Sequence, residues 1–244
     1  MHALTPQAIL RVWEAGFGQQ PADRALTILL HASGGESAQA LAALTVGERD
    51  RRLLSVREQT FGHTLDAYAE CGACAERLEF TLTTDALRCT GPDTADKRER
   101  LCIDGVELSL RLPNSNDLRA LSACSDLHSA HARLLERCIL EASRDGAPIV
   151  VSALPPDVIA GAAARMTDLD PQAEVLLDLR CPTCNANQQV LFDIAAYFWS
   201  EIGACAKRLL REIHLLARAY CWREADILAM SAWRRECYLA MVQG

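Results

Sequence analysis

The sequence has no long apolar run, no excess of basic charge and no enzyme signature, and each absence removes a class of function. Its longest apolar stretches fall far short of the roughly 20 residues of a membrane-crossing helix, so no membrane segment is expected. The start, MHALTPQAILRVW, lacks a basic end followed by a long apolar run. No signal peptide is therefore expected, and the chain reads as cytoplasmic when made. The formal net charge is -7. That sign opposes contact with a phosphate backbone, so no nucleic acid is expected as partner. A Walker loop, HExxH and GxSxG are all missing. Gly16-Phe17-Gly18 begins like a dinucleotide fingerprint, but Pro21 stands at the third glycine position and no strand precedes it. His128 and His131 read as solvated helix residues and His214 as a partly buried packing residue. No nucleophile is paired with a base, and the chain reads as non-enzymatic.

Half of the 244 residues are hydrophobic and the charges are mixed in sign, as in a folded chain with a substantial core. The first sixty residues read as helices. Thr5-Pro6 is an N-cap followed by proline at the first helical position. Pro21 opens a second helix to about His31. Thr45 and Glu48 have capping-box spacing at the start of a helix that stops near Gly62. Leu53, Leu54, Val56 and Phe61 give that helix an apolar side, with Arg51, Arg52, Arg57 and Glu58 elsewhere. Strands are expected on both sides of Cys71 and Cys74, and again on both sides of Cys181 and Cys184. TGPDTADKRER reads as a polar connection. Asp104-Gly105 is a hairpin turn, with Val106, Leu108, Leu110 and Leu112 on one face of its second arm. Helices are expected over about Asp117 to Ala123, Leu127 to Arg144 with a stop at Gly146, and Pro156 to Met166. Ile194, Phe198, Ile202, Cys205, Leu209, Ile213, Leu216 and Tyr220 recur at steps of four and three, a continuous apolar stripe. Two short helices, about 223–229 and 232–242, follow, the second capped by Ser231.

Eleven cysteines is an odd number, and nothing points to the oxidising compartment that a disulfide framework needs. Cys89, Cys102, Cys124, Cys138, Cys205, Cys221 and Cys237 have no ligand spacing and read as small buried hydrophobes. Cys71-Gly-Ala-Cys74 and Cys181-Pro-Thr-Cys184 differ. Each sets two sulfurs on one tight turn, and two such turns supply the four soft ligands of a closed tetrahedral zinc site. Four unpaired buried cysteines, or a dithiol redox pair, are the competing readings. The second would place each pair at a helix start. Zinc-knuckle turns favour glycine after the second cysteine, where φ is positive; here the residues are Ala75 and Asn185. Arg77 and Arg180 are placed either to offset the charge of four thiolates or as ordinary exposed arginines.

The expected fold class is α+β, mainly helical, with a split zinc-ribbon-like β element interrupted by an inserted hairpin-plus-helices segment. The expected divisions are a helical region at 1–62, ribbon halves at 63–88 and 173–193, an inserted α+β segment at 89–172, and a C-terminal helical region at 194–244. Tyr197, Trp199, Trp222, Trp233 and Tyr238 look exposed in the last region and are candidate partner-binding residues; packing of the terminal helices on each other is the competing reading.

Several stretches together carry a resemblance: TVGERDRRLLSVREQTFG, LRLPNSNDL, LDPQAEVLLDLRCPTC, FDIAAYFWSEI and IHLLARAYCWREADILAMSAWRRECYLAMV. The chain resembles the T-even phage baseplate hub assembly chaperone family, with relatives in phage-like contractile injection systems. The final stretch is the most specific part of that resemblance and the helices before Thr45 the least. The resemblance implies a non-enzymatic role in building a baseplate hub, with hub or spike proteins as partners, and leaves open whether the protein stays associated with the particle after assembly. It carries over no catalytic residue; its CxxC pairs fall on Cys71, Cys74, Cys181 and Cys184. A zinc-ribbon nucleic-acid-binding or regulatory protein is the alternative, and a thiol-disulfide enzyme a third.

Overall fold

The computed structural model describes residues 1–91 and 98–243. Four helices open the chain: α1 (Pro6–Gly16), α2 (Pro21–Ala32), α3 (Ala38–Ala43) and α4 (Val46–Phe61). Their starts are capped by side chains that the sequence marks. Thr5 accepts from the Ala8 N–H, and Thr45 from the Glu48 N–H. The 27-residue α8 (Ile194–Tyr220) lies against them and buries Ile194, Phe198, Ile202, Leu209, Ile213 and Leu216. These side chains join Ile9, Val12, Ile28, Leu29, Leu53, Leu54 and Val56 in the larger apolar cluster. Each fully buried side chain of this size contributes about 1.5–3 kcal/mol. Cys221 then adopts a left-handed conformation (φ 55°), which ends α8 and turns the chain into α9 (Glu224–Leu228) and α10 (Ala232–Gln243).

Between α4 and α8 lie all the strands of the described residues, together with three further helices. β1 (Thr64–Glu70) pairs antiparallel with β2 (Arg77–Thr83), and β7 (Val175–Arg180) pairs antiparallel with β8 (Asn187–Phe192). These are separate two-stranded hairpins. The residues between them build a four-stranded antiparallel sheet in the order β3 (Glu99–Ile103), β4 (Val106–Leu110), β5 (Ile139–Arg144), β6 (Ala147–Pro148). α5 (Ser115–Leu121), α6 (Leu127–Cys138) and α7 (Pro156–Leu169) accompany that sheet. Val106, Leu108, Leu110, Leu135, Ile139, Val158 and Ala162 form a second apolar cluster there. The chain is thus α+β, as expected. Most of the polar connection expected at 90–100 lies outside the described residues; its end, Glu99 and Arg100, opens β3.

One helix is shorter than the sequence pattern implies. The stretch expected to be helical from Leu127 to Arg144 leaves the helix at Cys138, and Ile139–Arg144 is a strand. Gly146 is no helix stop. Asp145 (φ 52°) and Gly146 (φ 79°) repeat the left-handed pair of Asp104 (φ 48°) and Gly105 (φ 76°), the backbone of a tight hairpin turn. Two charge assignments also change. Arg57 is not on an outer face of α4: its side chain is 3% exposed, and it grips Glu201 of α8 through Nε (2.9 Å) and Nη2 (2.6 Å) while donating to the Gly62 carbonyl (2.7 Å). His214 is exposed rather than partly buried.

Polar contacts join the two apolar clusters. The Gly47 N–H donates to Asp170 Oδ2 (2.9 Å), and a Cβ at position 47 would overlap that carboxylate. Gln172 accepts from the Cys89 N–H (2.9 Å) and donates to the Leu87 carbonyl (3.0 Å). Asp117, fully buried, closes a capping box at the start of α5 and receives Arg111 (2.6 and 2.8 Å) and Arg137 (2.8 Å). Burial would raise its carboxyl, but the hydrogen bonds from Arg111, the Asn114 N–H and Arg137 outweigh it, and the acid is held below the ordinary range. Asp50 behaves oppositely. Burial pushes it up to about 6 against the pull of Arg49.

The two carboxyls give pH dependences of opposite sign. Asp117 stabilises the fold above its unfolded value near 4, and that contribution is lost as pH falls through its lower folded value. Asp50 stabilises most below about 4, when protonated, and its contribution is lost as pH rises through about 6. Chemical denaturation across pH 3–8 should show Asp117→Asn losing about 3 kcal/mol at pH 7 and flattening the acid limb. Asp50→Asn should flatten the curve between pH 4 and 6 instead.

Candidate metal centre

Each hairpin presents its cysteines on the turn that joins its strands, and the two turns have the same backbone. The Cys71 N–H donates to the Glu76 carbonyl (2.9 Å) and the Ala75 N–H to the Cys71 carbonyl (2.8 Å). The Cys181 N–H donates to the Ala186 carbonyl (2.9 Å) and the Asn185 N–H to the Cys181 carbonyl (2.9 Å). Both turns need a left-handed residue after the second cysteine, and Ala75 (φ 57°) and Asn185 (φ 59°) take that conformation. The departure from glycine is accommodated in both, at a cost that falls mainly on Ala75 because asparagine tolerates this region better.

The four sulfurs lie within 4.8 Å of one another. Cys71 Sγ is 3.6 Å from Cys184 Sγ, and Cys74 Sγ is 3.6 Å from Cys181 Sγ. Residues more than 100 positions apart are brought to one point. A tetrahedral ion with metal–sulfur bonds of about 2.3 Å sets its sulfurs about 3.8 Å apart, so this set fits such an ion. The first cysteine of each knuckle is buried and the second exposed. Leu78, Leu179 and Ala186 pack around the buried pair. The N–H of Cys184, with that of Thr183, holds the Cys181 thiol down to about 7, and those of Ala73 and Cys74 lower Cys71. For Cys74 the Glu76 N–H pulls the same way, but the crowded thiols of Cys184, Cys181 and Cys71 and desolvation outweigh it and push the thiol up to about 12. For Cys184 the Ala186 N–H and Cys74 pull down, but desolvation and crowding by Cys181 and Cys71 outweigh them and raise the thiol. Backbone N–H groups thus favour the thiolate at Cys71 and Cys181, and crowding favours the thiol at Cys74 and Cys184. A tetrahedral ion held by all four sulfurs would have no open position for water or substrate.

A non-cysteine link also joins the knuckles. Gln188 of β8 accepts from the Gly72 N–H (2.8 Å) and donates to the Glu70 carbonyl (3.0 Å). It escapes a reading based on ligand spacing, because an isolated glutamine in an alternating strand carries no distinguishing signal. Arg77 pairs with Glu79 (3.1 Å) and lies over the Tyr68 ring (4.2 Å). Of the seven cysteines expected to be buried hydrophobes, Cys138 is buried, Cys89, Cys124, Cys205 and Cys237 are half-buried, and Cys102 and Cys221 are exposed. His128 and His131 are exposed, as expected of solvated residues.

Four of the five candidate partner aromatics are half-buried rather than exposed. Tyr197 donates to the Asp66 carbonyl (2.9 Å), and Trp199 sits against Gly16 with Arg24 over its ring (4.8 Å). Trp222 stacks on Tyr220 (4.5 Å) and meets Tyr238 edge-on (4.8 Å). Trp233 stands apart at 74% exposed.

The family described as T4 bacteriophage base plate protein matches residues 25–199, well over half of the chain, and the chain belongs to it. The match takes in both cysteine knuckles. It ends in the first turns of α8, so the whole of the final stretch (213–242), the most specific part of the resemblance, lies outside the matched residues. No curated protein and no solved structure matches the chain. Among the described residues no helix is long and apolar enough to cross a membrane.

The knuckle geometry yields a direct test. Ala75→Gly should raise stability by about 1 kcal/mol by relieving the left-handed conformation, whereas Asn185→Gly should change it by less than about 0.5 kcal/mol. Denaturant titration of both variants measures this.

Proposed function

We propose that this protein is a non-enzymatic assembly factor (chaperone) or structural component of the baseplate hub of a contractile phage tail or phage-like injection system. Membership of the base plate family over residues 25–199 is the observation that carries this reading. In it, the protein works in the cytoplasm during assembly, binds hub or spike proteins, and stays with the particle afterwards. Cys71, Cys74, Cys181 and Cys184 hold one structural zinc ion. The soft, all-thiolate ligand set and the 3.6 Å sulfur separations support zinc, and the closed coordination supports a structural role.

The ion clasps two ribbon halves, 63–88 and 173–193, whose connection is interrupted by an inserted α+β segment at 89–172. Helical regions at 1–62 and 194–244 complete the chain, and the partner surface lies in the last of these. Separate apolar clusters in the inserted segment and in the helical regions support this division. The nucleic-acid reading is weaker, because the net charge is -7.

Metal analysis of the purified protein should find one zinc per chain, lost in Cys181→Ser. Chelation should lower Tm by about 10 °C. A zinc-free protein whose four knuckle thiols react freely while it remains folded would overturn the zinc assignment.

Co-expression with the neighbouring hub and spike proteins tests the partner surface. Trp233→Ala should reduce co-purification about tenfold with Tm unchanged, since an exposed tryptophan gives up little on truncation. Trp222→Ala should lower Tm as well, because it removes a stacked ring. Undiminished co-purification with Trp233→Ala would count against the surface at 194–244.

A further inference from the structure

A cleft of about 470 Å³ opens between the two hairpins where they diverge toward α8. Phe80, Leu177, Val190 and Phe192 line it with apolar surface, and Tyr197, Ser200 and Glu201 of α8 close one side. Three consecutive residues of β1 (66–68), the last three of β8 (190–192) and the α8 N-cap Asp193 also border it. Consecutive residues reach a cleft when a strand turns its edge toward it, and the ladder shows that both strands do so. In the first hairpin the bonds joining 71 to 76 and 63 to 84 fix odd-numbered β1 residues as those paired to β2. The N–H and C=O of Asp66, Tyr68 and Glu70 therefore point away from β2. The Tyr197 hydroxyl and Gln188 amide occupy the Asp66 and Glu70 carbonyls from that side, in agreement. The bond joining 181 to 186 fixes Gln189 and Leu191 as the outward pair on β8.

The rim therefore carries unpaired strand edge at Tyr68, between the occupied carbonyls of Asp66 and Glu70, and at Leu191. The backbone groups of Tyr68 and Leu191 have no partner among the described residues, and the two residues are 62% and 58% exposed. The charged residues that line the cleft, Asp66, Asp193 and Glu201, are acidic; Arg77, paired with Glu79, lies over the ring of Tyr68 at the rim. Glu201 is neutralised by Arg57, whereas Asp66 and Asp193 have no ion-pair partner among the described residues.

We infer that this cleft is a docking site for an extended segment of another protein, which inserts a large apolar side chain between the hairpins. The segment takes backbone hydrogen bonds from Leu191 and Tyr68, as in strand addition to an open sheet edge. Arginine or lysine beside the apolar anchor meets Asp66 and Asp193. The assignment rests on the geometry of the hairpins and is independent of the baseplate reading.

The test is selection of a displayed random nine-residue peptide library on the intact protein, with anisotropy titration of the winning peptide. Selected peptides should carry a large apolar residue flanked by basic ones. Tyr68→Pro and Leu191→Pro each remove an outward N–H and leave the hairpin ladder in place, so each should weaken the peptide at least tenfold with Tm nearly unchanged. Asp66→Lys, an exposed substitution, should shift selection away from basic flanks, which keeps the test intact if a proline variant misfolds. No enrichment, enrichment of acidic peptides, or affinity unmoved by all three variants would overturn the assignment. A wild-type dimer by light scattering that Leu191→Pro or Asp66→Lys dissolves would also overturn it, by showing a second copy in the cleft.

Discussion

The buried guanidinium of Arg57 is the constraint on which the arrangement of hairpins and helices depends. A charge taken out of water needs partners on every side, and removing one is costly. Here Glu201 supplies two hydrogen bonds, the Gly62 carbonyl a third, and the Tyr197 ring lies 5.8 Å from the guanidinium carbon. The first contact fixes α4 against α8. The second fixes the turn at which α4 gives way to β1. The third draws in Tyr197, whose hydroxyl holds the Asp66 carbonyl of β1. A single side chain thereby sets where the first hairpin leaves the helices and where the second hairpin, entering α8 through Asp193, arrives.

Given that placement, the sulfur cluster follows from near-repetition. Two strand–CxxC–strand units with the same turn backbone meet face to face, and each cysteine finds its neighbour in the other unit. The likeness is incomplete in useful ways. Gln188 of the second unit reaches over the first knuckle, while Leu78, at the corresponding place in the first unit, is buried with Cys71 and Cys181. The knuckle ends are thus locked by sulfur, glutamine and leucine, and the opposite ends are held apart by α8. A pair of hairpins pinned at one end and wedged at the other has to leave a gap along its open edges.

Much of this was legible in the residues. Caps at Thr5 and Thr45, the Asp104-Gly105 turn, the α8 stripe and the four clustered cysteines are short-range signals, and each works by local geometry. The misreadings share a different cause. Cys138, Ile139 and Ala142 continue the spacing of a helix face, which predicts a helix on to Arg144; what stops it is pairing of β5 with β4, from Leu110 with Ile139 to Val106 with Arg144, contacts that the local pattern does not contain. Asp145-Gly146 carried the same hairpin signal as Asp104-Gly105 but was masked by that helical pattern. The spacing sets Arg57 off the apolar side of α4 with Arg51 and Arg52 and gives no sign of its burial, because its partner lies 144 residues away. The half-buried aromatics of the C-terminal region repeat the lesson: composition names residues fit for an interface, and tertiary packing decides which of them are already spent inside the protein.

The division of the apolar residues into two clusters also sets an order in time. The cluster under the four-stranded sheet draws its members from residues 106–169, a stretch that is complete before the second knuckle is synthesised. The cluster under α8 joins residues 4–87 to residues 194–228. On a ribosome, Ile9, Val12, Ile28 and Leu29 emerge first and wait longest for the helix that covers them, while the middle of the chain can close behind them. Long-range closure of this kind leaves apolar helix faces open during synthesis. The nascent N-terminal third is therefore the part of this protein that most needs protection, and release from that state comes only when α8 has left the exit tunnel.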